Sequence, residues 1–95
     1  MSLTILEYRV WRVPDESRRD EILQMNNELT MADYHFRRNA QDDFGIDPWN
    51  ITTQIQWTGE AECQITFISD ASEEVLSLAW KSAAALIGLQ TERVT

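Results

Sequence analysis

The feature of this sequence that most constrains its fold is an alternation of apolar and polar side chains over residues 51–69. Two runs with a period of two are separated by the turn-forming segment 58–60, and this period is typical of strands with one buried face. The inward positions are Ile51, Thr53, Ile55 and Trp57 in the first run and Ala61, Cys63, Ile65 and Phe67 in the second. Gly59 can adopt the positive φ that a tight turn requires. The stretch therefore predicts a β-hairpin, which needs cover from other elements because two strands alone are marginally stable.

The first forty residues predict a strand followed by helix. Residues 2–13 carry apolar side chains at both parities, as in a central strand, and Pro14 ends that strand and suits a first helical turn. The apolar positions that follow recur every three or four residues. They are Ile22, Met25, Leu29, Ala32, Phe36 and Ala40, widened by Leu23 and Tyr34. Residues 14–41 could form one helix or two with a bend near Thr30, and we favour one. Arg37 and Arg38 would complement the dipole at its end.

A loop and a second helix follow. Residues 42–50 are rich in turn formers but include Trp49, which either packs beneath the loop or is exposed at a binding surface. Residues 70–88 predict a helix that Asp70 caps, with Glu73 completing a capping box and Gly88 ending the helix. Its buried positions are Val75, Leu76, Ala79, Ala83, Leu86 and Ile87. Residues 90–95 could add a short edge strand.

The order strand, helix, strand, strand, helix, with an optional last strand, resembles that of ferredoxin-like domains. This resemblance implies an α+β fold in which two helices cover one face of an antiparallel sheet, and the open face is available for dimerisation or binding. It is a likeness of topology, so it implies no activity. At 95 residues, we expect a single domain spanning 1–95.

Charge restricts the classes of partner. The formal net charge is −8, and residues 42–95 hold nine acidic and two basic residues. Such a chain repels nucleic acid and anionic membranes and favours a basic protein partner. The sequence has no charged-then-apolar leader and no apolar run near the ~20 residues of a membrane span. With one cysteine, Cys63, on an inward strand position, we expect a buried free thiol in a cytoplasmic protein.

The sequence contains few residues in patterns typical of catalysis, cofactor binding or metal binding. His35 is the only histidine and has no second ligand at zinc spacing. Asp42, Asp43 and Asp47 do not follow the spacing of a calcium-binding EF-hand loop. No glycine-rich phosphate loop or nucleophile elbow is present. The sequence therefore favours a protein that is not an enzyme and holds no cofactor or metal.

The first functional hypothesis is an acidic protein-interaction module, an inhibitor or adaptor that engages the basic surface of a nucleic-acid-binding protein. Carboxylates would occupy a groove built for phosphates, and an exposed tryptophan would anchor the contact. The candidate residues are Asp42, Asp43, Asp47, Trp49, Glu60, Glu62, Asp70, Glu73 and Glu74. The hairpin turn and the start of the second helix lie at opposite ends of a strand, so these residues cannot form one patch. The simpler interpretation is a solvated acidic surface.

Two alternatives remain open. The chain could be a small ligand-binding or cofactor-free catalytic dimer with a pocket between sheet and helices, as in some oxygenases of similar architecture. That pocket would be lined by Tyr8, Tyr34, His35, Trp57 and Phe67. It could also assemble with copies of itself as a homodimer through the open sheet face. The outward side chains there are polar, namely Thr52, Gln54, Gln56, Gln64 and Thr66.

Overall fold

The computed structural model describes residues 3–12 and 21–94, which form a four-stranded antiparallel sheet and two helices. In chain order the elements are β1 (Thr4–Trp11), α1 (Glu21–Phe44), a 3-10 turn (Pro48–Asn50), β2 (Thr52–Gly59), β3 (Glu62–Ser69), α2 (Glu73–Ile87) and β4 (Gln90–Arg93). The strands lie in the order β2-β3-β1-β4. The fold is α+β and ferredoxin-like, as the sequence predicts, with β1 central and β4 as the short edge strand.

The predicted hairpin is formed by β2 and β3, but its turn differs from the expectation. The turn falls on Glu60 and Ala61, and Gly59 ends β2 without adopting a positive φ. The pairing of the two strands shifts between Trp57 and Gly59, so that Thr58 is an extra residue on β2. A bulge of this kind bends the strand and increases its twist. The turn residues Glu60 and Ala61 adopt no positive φ, so this turn uses no left-handed residue.

The centre of the sheet joins distant parts of the chain. β1 pairs with β3 along its whole length, from Thr4 opposite Ser69 to Trp11 opposite Glu62. Alternate residues of both strands point toward the helices. These buried residues are Leu6, Tyr8 and Val10 in β1 and Cys63, Ile65, Phe67 and Ser69 in β3. The inward face predicted from the period of two is therefore confirmed for β3.

Aromatic rings fill the space between the sheet and the helices. Phe67 of β3 lies 4.3 Å from Phe36 of α1 and 5.0 Å from Trp80 of α2, measured between ring centroids. The indole N–H of Trp80 donates to the Oγ1 of Thr91 at 3.0 Å, so the one polar atom of that side chain is satisfied within the core. All three rings are without solvent-accessible surface. The core is closed at its centre.

α1 is one continuous helix, as favoured from the sequence. Thr30 does not begin a second helix; its hydroxyl donates to the carbonyl of Asn26 one turn earlier. The predicted start at Pro14 and the side chain of Ile22 lie outside the described residues. Of the remaining stripe, Met25, Leu29, Ala32, Phe36 and Ala40 are buried.

The end of α1 lies three residues beyond the predicted boundary. The helix includes Asp42 and ends at Phe44, where Gly45 adopts a φ of 67°. In this left-handed conformation the N–H of Gly45 donates to the carbonyl of Gln41, which satisfies a helix-end acceptor. The glycine therefore determines where the helix stops, rather than the aspartates before it.

α2 begins and ends at well-defined caps, and the first differs from the prediction. Ser72, not Asp70, is the N-cap: its hydroxyl accepts from the N–H of Val75 at 3.3 Å. Asp70 and Ala71 remain outside the helix in a bend. Gly88, with a φ of 87°, ends the helix as predicted. Neither helix, over the residues described, has the length and apolar content of a membrane span.

Three residues predicted to belong to the buried stripes are exposed instead. They are Leu23 and Tyr34 on α1 and Leu86 on α2. Each helix lies flat on a sheet and beside the other helix, so only a narrow face of each is covered. Residues one position outside that face contact solvent even when they are apolar.

Candidate functional site

The nine residues proposed for partner binding fall at two ends of the sheet. Thr52 pairs with Ile68, whereas Gly59 pairs with Glu62. The loop before β2 and the connection after β3 therefore lie at one end, and the hairpin turn lies at the other. Glu60 and Glu62 are at the turn end, as the order of the strands requires. The two groups of acidic residues form separate surfaces.

At the turn end, Glu62 is engaged by its neighbours. Its carboxylate accepts from the guanidinium of Arg9 at 2.6 Å and from the hydroxyl of Thr58 at 3.1 Å. These hydrogen bonds, the one from Arg9 first, lower the pKa of Glu62 below its ordinary value. Arg9 also lies over the ring of Trp11, 4.4 Å from the ring centroid. Glu62 is thus paired on the open sheet face, whereas Glu60, the other candidate at this end, is exposed.

At the start of α2 the acidic residues have local roles. Glu73 forms an ion pair with Arg93 of β4, and this contact raises the pKa of Arg93. Glu73 and Glu74 lie in the first turn, where carboxylates interact favourably with the helix dipole. Arg93 and Lys81 line the same shallow groove as these two glutamates, so its charge is mixed. Asp70 lies nearby and is exposed.

The end of α1 and the following loop carry the remaining four candidates. Asp42 and Asp43 are exposed in the last turn of α1, where Asp42 lies 3.4 Å from the guanidinium of Arg38. Asp47 caps the 3-10 turn, since its Oδ1 accepts from the N–H of Trp49 at 2.9 Å. Trp49 itself is 92% exposed. Of the two alternatives for this tryptophan, the structure therefore shows exposure.

The position of Trp49 depends on Arg37, whose role the sequence did not reveal. The guanidinium of Arg37 donates to the carbonyls of Pro48 and Ile51, at 2.7 and 2.8 Å, on either side of the tryptophan. It also donates to Asp33 at 2.9 Å and to the hydroxyl of Thr53 at 2.7 Å. These four contacts fasten the turn and the start of β2 to α1.

Arg37 was expected to complement the dipole at the end of α1, and that expectation is wrong. The last turn of α1 contains no basic residue, because the helix continues past Arg38 to Phe44. The spacing of four between Asp33 and Arg37 was a visible signal of a helical ion pair. No sequence pattern predicts the hydrogen bonds from Arg37 to backbone carbonyls, since any loop residue could supply a carbonyl.

Trp49 borders a groove of about 620 Å³ between the loop and α1. The groove is lined by Asp33, Arg37, Pro48, Trp49, Ile51, Thr52 and Thr53. Three of these residues, Asp33, Arg37 and Thr53, are joined by hydrogen bonds, in which the hydroxyl of Thr53 donates to Asp33 at 3.0 Å. The groove thus combines one broad apolar side chain with polar groups that are already paired.

The residues proposed for a ligand pocket do not surround a common cavity. Tyr8 and Phe67 lie in the closed core with at most 1% of their surface accessible, so neither lines a space that admits water. Tyr34 is exposed on α1 and packs edge-on against His35, with 5.4 Å between ring centroids. Trp57 is on the outer strand β2. These side chains point to three different regions of the molecule.

Neither the cysteine nor a metal cluster supplies a reactive group among the described residues. Cys63 is buried, as predicted, and burial raises the pKa of its thiol to about 11, so the thiol is protonated near neutral pH. Among residues 3–12 and 21–94 there is no cluster of three His, Cys, Asp or Glu side chains arranged to hold a metal ion.

Comparison with protein-family models gives no match for this chain, and no curated protein is similar to it at a significant level. The functional interpretation therefore depends on the geometry of the surface alone.

Proposed function

We propose that this chain is a non-enzymatic protein-interaction module that binds a basic protein surface through Trp49 and the carboxylates beside it, as an inhibitor or adaptor. The contact residues are Asp42, Asp43, Asp47 and Trp49. The free Cys63 thiol suits a reducing compartment, and we place the interaction in the cytoplasm.

The observation that carries this proposal is an exposed tryptophan on a turn whose backbone is held by hydrogen bonds. Trp49 exposes 92% of its surface, yet Arg37 and Asp47 hold the backbone on both sides of it. Tryptophan dominates the binding energy of many interfaces. A turn that is already ordered loses less conformational entropy on binding, which favours affinity. These properties together support a recognition residue.

The chemistry around Trp49 favours a cationic partner. Three carboxylates, Asp42, Asp43 and Asp47, lie in the last turn of α1 and the loop, and Arg38 is the one exposed guanidinium among them. An arginine of the partner could stack on the indole and pair with a carboxylate at the same time. Glu60, Glu62, Asp70, Glu73 and Glu74 would act at longer range, by attracting a basic surface before contact.

A comparative capture experiment tests the proposal. Tagged wild-type chain and the variant Trp49→Ala are incubated with nuclease-treated native lysate, washed at low and high salt, and the bound proteins are identified. We expect wild type to retain a dominant basic protein that high salt releases, because surface charge attraction is screened by ions. The Trp49→Ala variant should lose that protein at both salt concentrations.

The matched control is Leu86→Ala, which truncates another exposed apolar side chain, on α2 and outside the proposed contact. This variant should capture the same protein as wild type. Equal recovery by wild type and Trp49→Ala would refute the proposal, and so would capture that is indifferent to salt and to the triple substitution of Asp42, Asp43 and Asp47 by asparagine.

A further inference from the structure

The two free edges of the sheet differ in kind. Within residues 3–12 and 21–94, β2 pairs with β3 on one side only, and its eight residues include no charged side chain. β4 is four residues long and carries Glu92 and Arg93. Short or charged edges resist pairing with another chain, whereas a long uncharged edge presents N–H and C=O groups to a further strand. The bulge in β2 affects only its last residues, so most of this edge is regular.

Two apolar side chains on the helix side of β2 are incompletely covered. Ile55 is 44% exposed and Trp57 is 40% exposed, although both lie on the face that is buried in β3. Beside them, α1 and β2 enclose a groove of about 330 Å³. It is lined by Asn26, Leu29, Thr30, Asp33, Arg37, Thr53 and Ile55. Exposed apolar side chains next to an open strand edge indicate a surface that another strand covers.

The lack of charge on β2 indicates which partner fits this edge. Two copies of a chain with a net charge of −8 repel one another unless they meet at a neutral surface, and β2 is neutral along its whole length. A strongly charged partner would gain no electrostatic complementarity there. An antiparallel pair about a two-fold axis is also self-complementary. With that axis at Ile55, Gln54 of one copy faces Gln56 of the other.

We infer that two copies of this chain pair antiparallel through β2 and join their four-stranded sheets into one of eight strands. Residues facing each other in this pairing lie on the same side of the sheet, because their numbers have the same parity. Thr53 of one copy then faces Trp57 of the other, and each Trp57 covers the groove between α1 and β2 of its neighbour. Trp49 lies outside the paired strand. A test of this dimer is therefore not a test of the proposed recognition surface, and either proposal can fail without the other.

Sedimentation equilibrium of the full chain, followed over a wide concentration range, tests the pairing. Wild type should show twice the mass of one chain. Ile55→Lys should weaken dimerisation by at least about 100-fold, because it places two ammonium groups opposite each other at the axis. The matched control is Ile5→Lys, the same substitution at a 55% exposed residue on the open sheet face. It should leave the dimer intact.

Disulfide trapping gives a second measurement that does not depend on Ile55→Lys folding. Ile55→Cys should form a covalent dimer on mild oxidation, since equivalent side chains meet across the axis. Wild type should not, because Cys63 is buried. Gln56→Cys should cross-link instead if the two-fold axis lies at residue 56.

A monomeric wild-type chain would overturn the inference. So would a dimer that Ile5→Lys dissociates and Ile55→Lys does not, which would place the second copy on the open sheet face. Failure of both Ile55→Cys and Gln56→Cys to cross-link would exclude antiparallel pairing of β2 about either residue, and with it the inference.

Discussion

Gly88 shows how one residue fixes the end of an element. Its φ of 87° lies in the left-handed region, and an added Cβ would meet no atom within 4 Å. Gly88→Ala should therefore lower the free energy of unfolding by about 1–2 kcal/mol through backbone conformation alone, without any steric clash. Urea denaturation of the variant and wild type measures this difference.

The control for that prediction is Gly59→Ala. Gly59 does not adopt a positive φ, and an added Cβ would meet the Cβ of Glu62 at 3.7 Å, an ordinary contact. Its unfolding free energy should change by less than about 1 kcal/mol. A larger loss for Gly59→Ala than for Gly88→Ala would contradict the assignment of these two backbone conformations.

Cys63 should make stability depend on pH in the alkaline range. Burial raises the pKa of its thiol from 9.0 to about 11, so the folded chain holds a proton that the unfolded chain releases earlier. The resulting stabilisation is fully present below pH 9 and is lost as the pH rises through about 11. The free energy of unfolding should fall by at most about 2–3 kcal/mol over this range.

Urea denaturation at several pH values, with wild type and Cys63→Ala side by side, measures this effect. The alanine variant is less stable below pH 9 because it leaves a cavity, but it lacks the thiol and should have the shallower pH dependence. Parallel profiles for the two proteins would show that Cys63 does not titrate as expected.

At the scale of single residues, the sequence predicted what depends on residue type and missed what depends on position. Gly88 and Cys63 have one favoured role each, as a helix end and as a buried thiol, and both predictions are confirmed. Asp70 and Ser72 both have side chains that cap helices well, so the sequence did not distinguish them, and Ser72 is the N-cap in the structure. No local signal indicated the bulge at Thr58, and the turn lies on the two residues after Gly59.

At the scale of elements, Arg37 connects a helix, a turn and a strand. Arg37→Gln should lower the free energy of unfolding by about 1–3 kcal/mol, because it removes hydrogen bonds to the carbonyls of Pro48 and Ile51 and the pair with Asp33. Urea denaturation measures the loss. In the same variant, capture of a partner through Trp49 should weaken, since the turn is no longer fastened to α1.

Arg38→Gln is the neighbouring control. Arg38 is exposed and forms only a 3.4 Å pair with Asp42 among its described contacts, so its replacement should change stability by less than about 0.5 kcal/mol. Comparable losses for the two variants would mean that the charge of α1, and not the contacts of Arg37, stabilises the turn.

The elements themselves were predictable because their periods are regular. The period of two gave both hairpin strands and the inward face of β3, and the spacing of three and four gave the buried face of α1. The contacts of Arg37 were not predictable, since they join residues 11 to 16 positions apart through backbone carbonyls and a hydroxyl. Periodicity predicts which face of an element is buried, but it does not predict which side chain forms hydrogen bonds to a loop.

At the scale of the whole molecule, the order of elements was enough to predict a ferredoxin-like arrangement and the separation of the acidic residues. It could not show that Trp49 is exposed, or that β2 is an edge of the sheet. Both properties depend on how the layers meet, because the same strand is covered in the centre of a sheet and open at its margin. The proposed surfaces, the Trp49 turn and the β2 edge, became visible only at this scale.

The pairing of β1 with β3 also affects how the chain folds. β2 and β3 meet across a turn of two residues, whereas Thr4 and Ser69 close a loop that contains α1 and the whole of β2. Loop-closure entropy opposes the second contact far more than the first, although it grows only with the logarithm of loop length. Non-local contacts of this kind slow folding. The middle of the finished sheet thus joins two strands that a helix and another strand separate along the chain.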